Sequence, residues 1–183
     1  MILPSSFFNR PTLTIAQDLL GKFLVENISG VTRAHMIVEV EAYDGFDDLA
    51  SHASKGLTPR NSPMFERAGI WYVYLVYGMH YMLNIVTGEK GYPAAILIRG
   101  IIHEDGRIFN GPAKLTKALN IDKKFNGLEA NQKNGLWIEE KGVIIKKKDI
   151  LTGPRIGVDY AKEWKDKPYR FFLKPQFIST YPE

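Results

Sequence analysis

Apolar and polar positions alternate with a period of two along much of the chain, and this pattern predicts a series of short β-strands. The alternation is strongest at positions 35–43, where successive side chains of a strand would point to opposite faces. One face would carry Val38, Val40 and Ala42. The other face would carry Ile37, Glu39, Glu41 and Tyr43. The pattern therefore places two carboxylates and a phenol on one side of a strand.

Apolar runs between turn-forming residues predict further strands. Three of them are expected at 22–26, 94–100 and 169–173. Two more, at 136–140 and 143–148, would form a hairpin about Lys141-Gly142. These strands together would account for most of the regular structure.

Helix signals are fewer and shorter. A threonine N-cap before IAQDLL and Gly21 after it predict one short helix. Gly111-Pro112 opens a second helix, which would run through Leu119 and stop at Asn120. The polar stretch 44–68 would be a long loop with short helical turns, and 159–164 would form one or two helical turns.

The run YVYLVYGMHYMLN, from Tyr72 to Asn84, predicts a β-hairpin with an aromatic residue at its tip. Tyr72 and Tyr74 would project from one face, either as cross-strand packing partners or as a stacking surface for a ligand. Tyr77 and Gly78 would occupy the turn, where a ring has little to pack against. An exposed ring on a rigid ribbon is typical of side chains that wedge between the base steps of nucleic acid.

These elements predict an α+β fold. The chain has 183 residues, a length that suits one domain, and no internal repeat or clear linker divides it. We therefore expect a single domain over 1–183, built on a curved, mainly antiparallel β-sheet with a protruding β-hairpin and flanking helices.

Composition narrows the choice of partner and compartment. The net charge of +4 and the pI of about 9.1 favour an anionic partner such as nucleic acid. The absence of cysteine excludes disulfides, thiolate zinc sites and a cysteine nucleophile. No apolar run approaches the roughly 20 residues of a membrane span, and the N-terminus lacks a signal-peptide pattern. We expect no membrane association and an intracellular location, in the cytoplasm or nucleoid, or in the nucleus of a eukaryote.

Two glutamates are the strongest candidates for acid–base chemistry. Glu39 and Glu41 would lie roughly 7 Å apart on one face of their strand. That face is either a solvated edge or, with Ile37 and Tyr43 beside the carboxylates, partly apolar. An apolar setting would raise the pKa of a carboxyl group, which suits a general acid or base.

Other interpretations of the same residues stay open. Glu39, Glu41 and Asp44 could bind the metal of a nuclease, although the chain has no HExxH motif, no EF-hand spacing and no cysteine. A non-catalytic binder of nucleic acid would use the same basic and aromatic surface. Arg60 in TPRNSPMF and Lys114 in GPAKL could hold phosphates or could be ordinary solvated side chains.

These motifs, in this order, resemble the alkyladenine (3-methyladenine) DNA glycosylase family. The similarity begins at FFNRPTLTIAQDLLGKFLV and continues through VEVEAYDGFDDLASH, TPRNSPMF and WYVYLVYGMHYMLNI. It resumes at AAILIRG, NGPAKLTKAL, PRIGV and EWKDKPYRFF, and so covers nearly the whole chain. The resemblance implies a base-excision repair hydrolase that flips an alkylated or deaminated purine and hydrolyses its N-glycosidic bond, leaving an abasic site.

The resemblance also implies how such an enzyme would work with its partner. It would need no cofactor and no metal, and its partner would be double-stranded DNA that contains a damaged purine. Because no lysine occupies an obvious Schiff-base position, we expect a monofunctional enzyme without strand-cleaving lyase activity. Scanning of DNA suits a monomer, which we also expect.

For the chemical step, the resemblance implies roles for three residues. Glu41 would be the general base that activates a water against the anomeric carbon. Arg99 would help to hold Glu41 and that water, together with the backbone carbonyl of Val158.

For the base pocket, the resemblance implies a layered arrangement. Tyr43 would stack on one face of the flipped base. His52 and Tyr74 would close the other face, and the His52 backbone amide would donate to the base edge. Tyr72 would orient the His52 ring, and Asn84 would lie near the purine 2-position and disfavour normal guanine.

For the contact with DNA, the resemblance implies one intercalating residue and three neighbours of the backbone. Tyr77 would enter the gap that the flipped nucleotide leaves in the duplex. The residues near the DNA backbone would be Arg60, Met79 and Lys114.

Overall fold

Nine strands form one sheet in the computed structural model, which describes residues 1–179. In chain order they are β1 Phe23–Ile28, β2 Val31–Asp44, β3 Trp71–Val76, β4 His80–Val86, β5 Ala94–Ile102, β6 Ile108–Asn110, β7 Leu136–Glu139, β8 Ile150–Gly153 and β9 Arg170–Leu173. The α-helices are α1 Ser5–Phe8, α2 Thr12–Asp18, α3 Pro112–Ala118 and α4 Pro175–Ser179. Single 3₁₀ turns lie at His52–Lys55, Ser62–Phe65, Lys123–Phe125, Gln132–Asn134, Lys147–Asp149 and Lys162–Asp166. The prediction of an α+β fold with a mainly antiparallel sheet is confirmed.

The sheet divides around its two central strands, β2 and β5. The main path runs β3-β4-β5-β2-β1-β7. The outer edge of β2 pairs with β1 over residues 31–36 and with β9 over residues 39–41. The outer edge of β5 pairs with β4 over residues 95–97 and with β6 over residues 100–102. Each outer edge of the β2–β5 pair therefore has two partner strands, one after the other. Glu41 lies in the part of the pair that is flanked by β9 and β4.

The ladder between β2 and β5 is irregular just before Glu41. Its register passes from Ile37 opposite Ile101 to Glu39 opposite Gly100, and then to Val40 opposite Ile98. Val38 on β2 and Arg99 on β5 are therefore left out of the pairing. Bulges of this kind re-aim side chains and are frequent beside active sites. Here the irregularity brings the Arg99 side chain to the carboxylates of β2.

The hydrophobic core lies between the sheet and two helices. Helix α2 packs against β2, and α3 packs against β4 and β5. Ile15 of α2, Leu19 directly after α2 and Leu115 of α3 are fully buried in the main apolar cluster, which also contains side chains of β2. Ile37 also belongs to this cluster. The bulge at Val38 interrupts the alternation between Ile37 and Glu39, so the expectation that Ile37 shares the carboxylate face stays a prediction.

The hairpin of β3 and β4 has its turn where the sequence predicts it. Tyr77 and Gly78 have φ values of 52° and 70°, the left-handed region that two-residue hairpin turns require. The Met79 amide closes the turn by donating to the Val76 carbonyl at 3.1 Å. This conformation costs a non-glycine residue about 1–2 kcal/mol, and the Tyr77 ring gains little burial in return because the residue is 88% exposed.

The first predicted helix has different ends. Helix α2 begins at Thr12, directly after Pro11, and no side chain caps it. The prediction of a threonine N-cap was wrong because Thr12 and Thr14 both lie inside the helix, and Pro11 occupies the N-cap position. The Thr12 hydroxyl accepts a hydrogen bond from Thr87 Oγ1 at 3.1 Å instead. Helix α3 ends as expected, since Leu119 follows its last residue and Asn120 has a φ of 51°.

The predicted hairpin about Lys141-Gly142 does not form. Its first strand exists as β7, but residues 143–146 are not a strand. The segment Met1–Leu3 takes the outer edge of β7 instead: Ile2 bridges Glu139, and the Leu3 amide donates to Ile138 at 2.9 Å. Strands β6 and β8 and helix α1 were not predicted, because each has only three or four residues. The helical turn expected at 159–164 is present as a 3₁₀ turn, but it lies slightly later in the chain, at Lys162–Asp166.

Candidate active site

A cavity of about 310 Å³ opens where β2 to β5 meet two loops. Its walls come from the strands, from the loop 44–68 and from the loop that follows β8. Its lining includes Glu41, Tyr43, His52, Arg60, Tyr72, Tyr74, Tyr77, Asn84, Arg99, Ile156, Val158 and Tyr160. Most of the predicted site residues thus line one space, although they come from four strands and two loops.

Glu41 is the only carboxylate among the described residues that line this cavity. Its side chain is fully buried. Glu41 Oε1 accepts the Ile156 amide at 2.7 Å, and Oε2 accepts the Tyr43 hydroxyl at 3.0 Å. Two carboxylate oxygens have about four acceptor sites, so the group can still accept from a water.

Glu41, Arg99, Glu39 and Arg170 form a row of contacts in which negative and positive side chains alternate. Arg99 Nε lies 3.4 Å from Glu41 Oε1 and donates to Glu39 Oε1 at 3.1 Å. Arg170 donates to the same Glu39 oxygen at 3.3 Å. Burial raises the pKa of Glu41, while Arg99, the Ile156 amide and the Tyr43 hydroxyl oppose that rise. The net pKa shift is upward, as suits a buried acid–base group.

Tyr43 forms one aromatic wall. Burial raises the pKa of its hydroxyl well above the ordinary value, and the nearby Glu41 charge adds to the effect. Tyr43 is therefore a neutral phenol that donates to Glu41. The Arg155 guanidinium lies 4.9 Å from the ring centroid but does not line the cavity, so Arg155 covers one face of the ring and the cavity meets the other.

A second group of lining rings consists of His52 and two hairpin tyrosines. His52 Nδ1 lies 2.9 Å from the Tyr72 hydroxyl. The His52 and Tyr74 ring centroids are 4.6 Å apart in an edge-to-face arrangement. Burial raises the pKa of Tyr74 to about 12, so its hydroxyl is uncharged at neutral pH. Burial and the adjacent Arg60 lower the pKa of His52, which favours a neutral imidazole.

The loop that carries His52 is fixed by its own polar side chains. Ser51 caps the 3₁₀ turn by accepting the Ala53 amide at 3.2 Å. Asn61 is 1% exposed, and its amide nitrogen donates to the His52 carbonyl at 3.0 Å and to the Gly56 carbonyl at 2.9 Å. The backbone at His52 is therefore fixed by Ser51, the preceding residue, and by Asn61 later in the loop.

Asn84 lies on the cavity floor, in β4, and is 2% exposed. Its side-chain nitrogen donates to the Tyr72 carbonyl at 3.1 Å. This bond fixes the plane of the amide, so the group presents a constant shape to whatever fills the cavity.

The predicted DNA-contacting residues lie at or near the rim. Tyr77 lines the cavity mouth, and Met79 beside it is 69% exposed. Arg60 donates to the Leu75 carbonyl of the hairpin at 2.9 Å, which holds its guanidinium at the rim. Lys114 is exposed but does not line the cavity.

Val158 lies in the loop that closes the cavity. Its carbonyl accepts the Ala161 amide at 2.9 Å, and its side chain packs in a small apolar cluster with Ala50 and Ala161. The group of this loop that reaches Glu41 is the Ile156 amide. The role of the Val158 carbonyl in holding a water stays a prediction.

Some site residues were missed by the sequence analysis. Ile156 and Tyr160 line the cavity, and the Arg155 guanidinium lies over the Tyr43 ring. Glu39 was predicted as an acid–base candidate, and the structure shows it as the hydrogen-bond acceptor of Arg99. Ile156 and Arg155 lie within the segment PRIGV, but no pattern shows which backbone amide meets Glu41 from 115 positions away.

The acidic residues of the metal interpretation have other partners. Asp44 accepts the Tyr92 hydroxyl at 3.1 Å, and Glu39 faces two arginines. Within residues 1–179, no three His, Asp or Glu side chains lie close enough together to hold a metal ion. In the same part of the chain, no helix is long and apolar enough to cross a membrane.

Known proteins resemble the chain over nearly its full length. The family model for methylpurine-DNA glycosylases matches residues 6–176. Three similar relatives each carry the name "Putative 3-methyladenine DNA glycosylase". The protein of Methanocella arvoryzae is 45% identical over 94% of this chain and 92% of its own length. The proteins of Myxococcus xanthus and Clostridium perfringens are 42% and 39% identical, each over 98% of this chain and over 94% and 99% of their own lengths.

Proposed function

The chain belongs to the methylpurine-DNA glycosylase family of DNA-repair hydrolases, and we propose that it flips a damaged purine out of double-stranded DNA and hydrolyses the N-glycosidic bond. The observation that carries the proposal is the fully buried Glu41 carboxylate in an aromatic cavity of about 310 Å³. Small-molecule sites measure about 300–1,000 Å³, so this one suits a single flipped base.

Glu41 acts as the general base. Its raised pKa and free acceptor capacity suit a carboxylate that takes a proton from water as the water attacks the anomeric carbon. The transition state resembles an oxocarbenium ion, as in other glycoside hydrolyses. Arg99 holds the carboxylate in place from 3.4 Å, and the Val158 carbonyl accepts from the same water.

The aromatic walls favour an electron-poor base. Tyr43 stacks on one face of the purine, and His52 and Tyr74 cover the other. Ring faces attract positive charge, so a purine alkylated at N3 or N7, which is cationic and a good leaving group, binds well. The low pKa of His52 supports this selectivity, because a neutral imidazole does not repel a cationic base. The His52 amide donates to the base edge.

The hairpin tip and the basic rim hold the DNA in its distorted form. Extruding a base costs a few kcal/mol, and the Tyr77 ring offsets part of that cost by filling the gap. Arg60, Met79 and Lys114 contact the flanking backbone. The enzyme acts as a monomer. It is also monofunctional, and this is supported by the fact that none of the described cavity-lining residues is lysine.

The test is base release from a duplex oligonucleotide that contains one 7-methylguanine, with the product identified by mass. We expect Glu41→Gln to slow release by about 100- to 10,000-fold, the range for a general base, and to retain DNA binding. Glu26→Gln is the matched control, because Glu26 is equally buried at 3% exposure but lies in β1, away from the cavity. Normal turnover by Glu41→Gln would refute the assignment.

Two additions to this assay separate the alternatives. Activity that persists in EDTA, with an intact abasic strand as product, excludes a metal-dependent nuclease. Sodium borohydride should trap no protein–DNA adduct, whereas an adduct would contradict the monofunctional mechanism. Lesion binding by the wild-type protein without any base release would instead favour a non-catalytic binder.

A further inference from the structure

A buried ion pair lies directly behind the cavity and takes no part in the mechanism above. Both side chains, Arg155 and Asp48, are fully buried. The guanidinium faces the carboxylate with two nitrogens, at 2.5 Å and 2.8 Å. Neither residue lines the cavity, so neither can touch the substrate.

The pair joins segments that are far apart in the chain. Asp48 accepts the backbone amides of Asp44 and Ala50, each at 3.1 Å, and so shapes the loop that leads to the His52 turn. Arg155 donates to the Ala42 carbonyl at 2.9 Å. Ala42 stands in β2 between Glu41 and Tyr43.

Arg155 also donates to the Trp164 carbonyl at 3.2 Å, which fixes the chain that follows β8. This one guanidinium therefore makes hydrogen bonds to β2, to the loop 44–68 and to the segment 155–164. These are the segments that supply the general base and two walls of the cavity.

Two features of the site depend directly on where Arg155 lies. Ile156 is the next residue, and its amide donates to Glu41 Oε1 at 2.7 Å. The guanidinium lies 4.9 Å from the Tyr43 ring centroid, on the face away from the cavity. A shift of Arg155 would move the amide away from Glu41 and remove the support of the ring.

We propose that Arg155 and Asp48 are positioning residues for base excision, which hold the Ile156 amide on Glu41 and fix the plane of Tyr43. The inference rests on the proposed role of Glu41. A buried ion pair adds little net stability relative to apolar side chains of the same volume. The contribution of this pair is therefore geometric, and it passes through Ile156 and Tyr43 to the reacting groups.

The test uses two variants that keep both charges and change only the geometry. Arg155→Lys removes the planar fork that makes two parallel hydrogen bonds, and Asp48→Glu moves the carboxylate by one methylene. We expect each to slow single-turnover release of 7-methylguanine by about 100-fold, the cost of a displacement of roughly 1 Å at a reacting group. Affinity for the lesion duplex should change by less than about threefold, because neither residue faces DNA.

The decisive readout is the pH profile of the excision rate. The groups that face Glu41 are Arg99, Glu39, Tyr43 and the Ile156 amide. Loss of the amide removes a donor to the charged form, which raises the pKa of Glu41. The acid limb of the profile should therefore move to higher pH in both variants. A purely structural role would lower the melting temperature and leave the limb where it is.

Two control variants separate geometry from general destabilisation. Ile138→Ala removes core volume in β7, far from the cavity, and should lower the melting temperature without moving the acid limb. Arg67→Lys makes the same chemical change at an exposed ion pair with Glu129 and should change neither property.

One measurement needs no variant. In the wild-type protein the Ile156 amide should exchange with solvent as slowly as the core amides of β2, because the buried pair clamps it. Fast exchange by local opening would overturn the proposal, as would folded variants with an unmoved acid limb. If those limbs stay fixed while Glu41→Gln is inactive, only this inference fails. If Glu41→Gln retains turnover, the proposed function fails first.

Discussion

At the scale of single residues, the chemistry depends on how one carboxylate is surrounded. Glu41 has no exposed side-chain surface, and burial is the largest influence on its pKa. Arg99, the Ile156 amide and the Tyr43 hydroxyl favour the charged form, whereas Glu39 disfavours it. The net effect is a pKa above the ordinary value for a glutamate, as suits a carboxylate that accepts a proton.

The raised pKa of Glu41 predicts a particular pH dependence. Only the carboxylate form is a base, so the excision rate should fall as pH decreases through a pKa above the ordinary value of about 4.3. The assay should use 7-methylguanine as the lesion, because this base is cationic without protonation and its own protonation does not contribute to the pH profile. Single-turnover rates across a pH series provide the measurement.

Glu39→Gln is the companion variant for this profile. The Glu39 charge raises the pKa of Glu41, so its removal should move the acid limb to lower pH. An unmoved or upward-moved limb in this variant would contradict the electrostatic picture of the site.

Asn84 bears on the choice of base. Its amide is held by the Tyr72 carbonyl at 3.1 Å, and we propose that it presents a fixed obstacle near the 2-position of a bound purine. Asn84→Ser removes bulk there, and we expect faster release of unmodified guanine with little change for hypoxanthine, which has no 2-amino group. The ratio of the two rates in matched duplexes is the measurement, and an unchanged guanine rate would refute this role.

At the scale of secondary-structure elements, the β3–β4 hairpin carries both the pocket wall and the tip. Tyr72 and Tyr74 belong to its first strand and line the cavity, while Tyr77 stands at the turn. Because antiparallel pairing makes the hairpin rigid, the tip keeps a fixed relation to the cavity. Tyr77 keeps a left-handed conformation there, with a φ of 52°, and a strained exposed residue of this kind indicates a functional position.

The hairpin tip leads to a prediction about duplex and single-stranded substrates. Tyr77→Ala should slow excision from duplex DNA by about tenfold or more, since roughly 1.4 kcal/mol of lost support corresponds to a factor of ten. Excision from single strands should change much less, because no base pair has to open. Rates on the two substrates, each with the same lesion, give the comparison.

Two variants control for this effect. Tyr77→Phe keeps the ring and should retain most duplex activity. Ile144→Ala changes another exposed apolar side chain, 81% exposed, and should alter neither rate. Equal losses on both substrates in Tyr77→Ala would count against the wedge.

At the scale of the whole molecule, the divided sheet explains why the cavity lies where it does. Strands β2 and β5 each share an outer edge between two neighbours, and Glu41 lies close to these divisions, paired with Leu97 of β5 and Arg170 of β9. Helices α2 and α3 pack against the sheet in the main core. The loops 44–68 and 155–160 supply the remaining walls of the cavity.

The sequence by itself determined the features that depend on near neighbours. Alternation at 38–43 gave the face of Glu41 and Tyr43, the Tyr77-Gly78 pair gave the hairpin turn, and the order of motifs gave the family. These signals are local because side-chain direction along a strand and turn conformation are set within a few residues.

Only the tertiary structure decided the contacts that complete the site. The bulge that aims Arg99 at Glu39 joins residues 60 positions apart, and the Arg155–Asp48 pair joins residues 107 apart. The outer edge of β7 pairs with the N-terminal segment and not with the predicted hairpin partner. Contacts over such distances depend on how buried surfaces and backbone hydrogen bonds are satisfied throughout the fold, and no local pattern records that outcome.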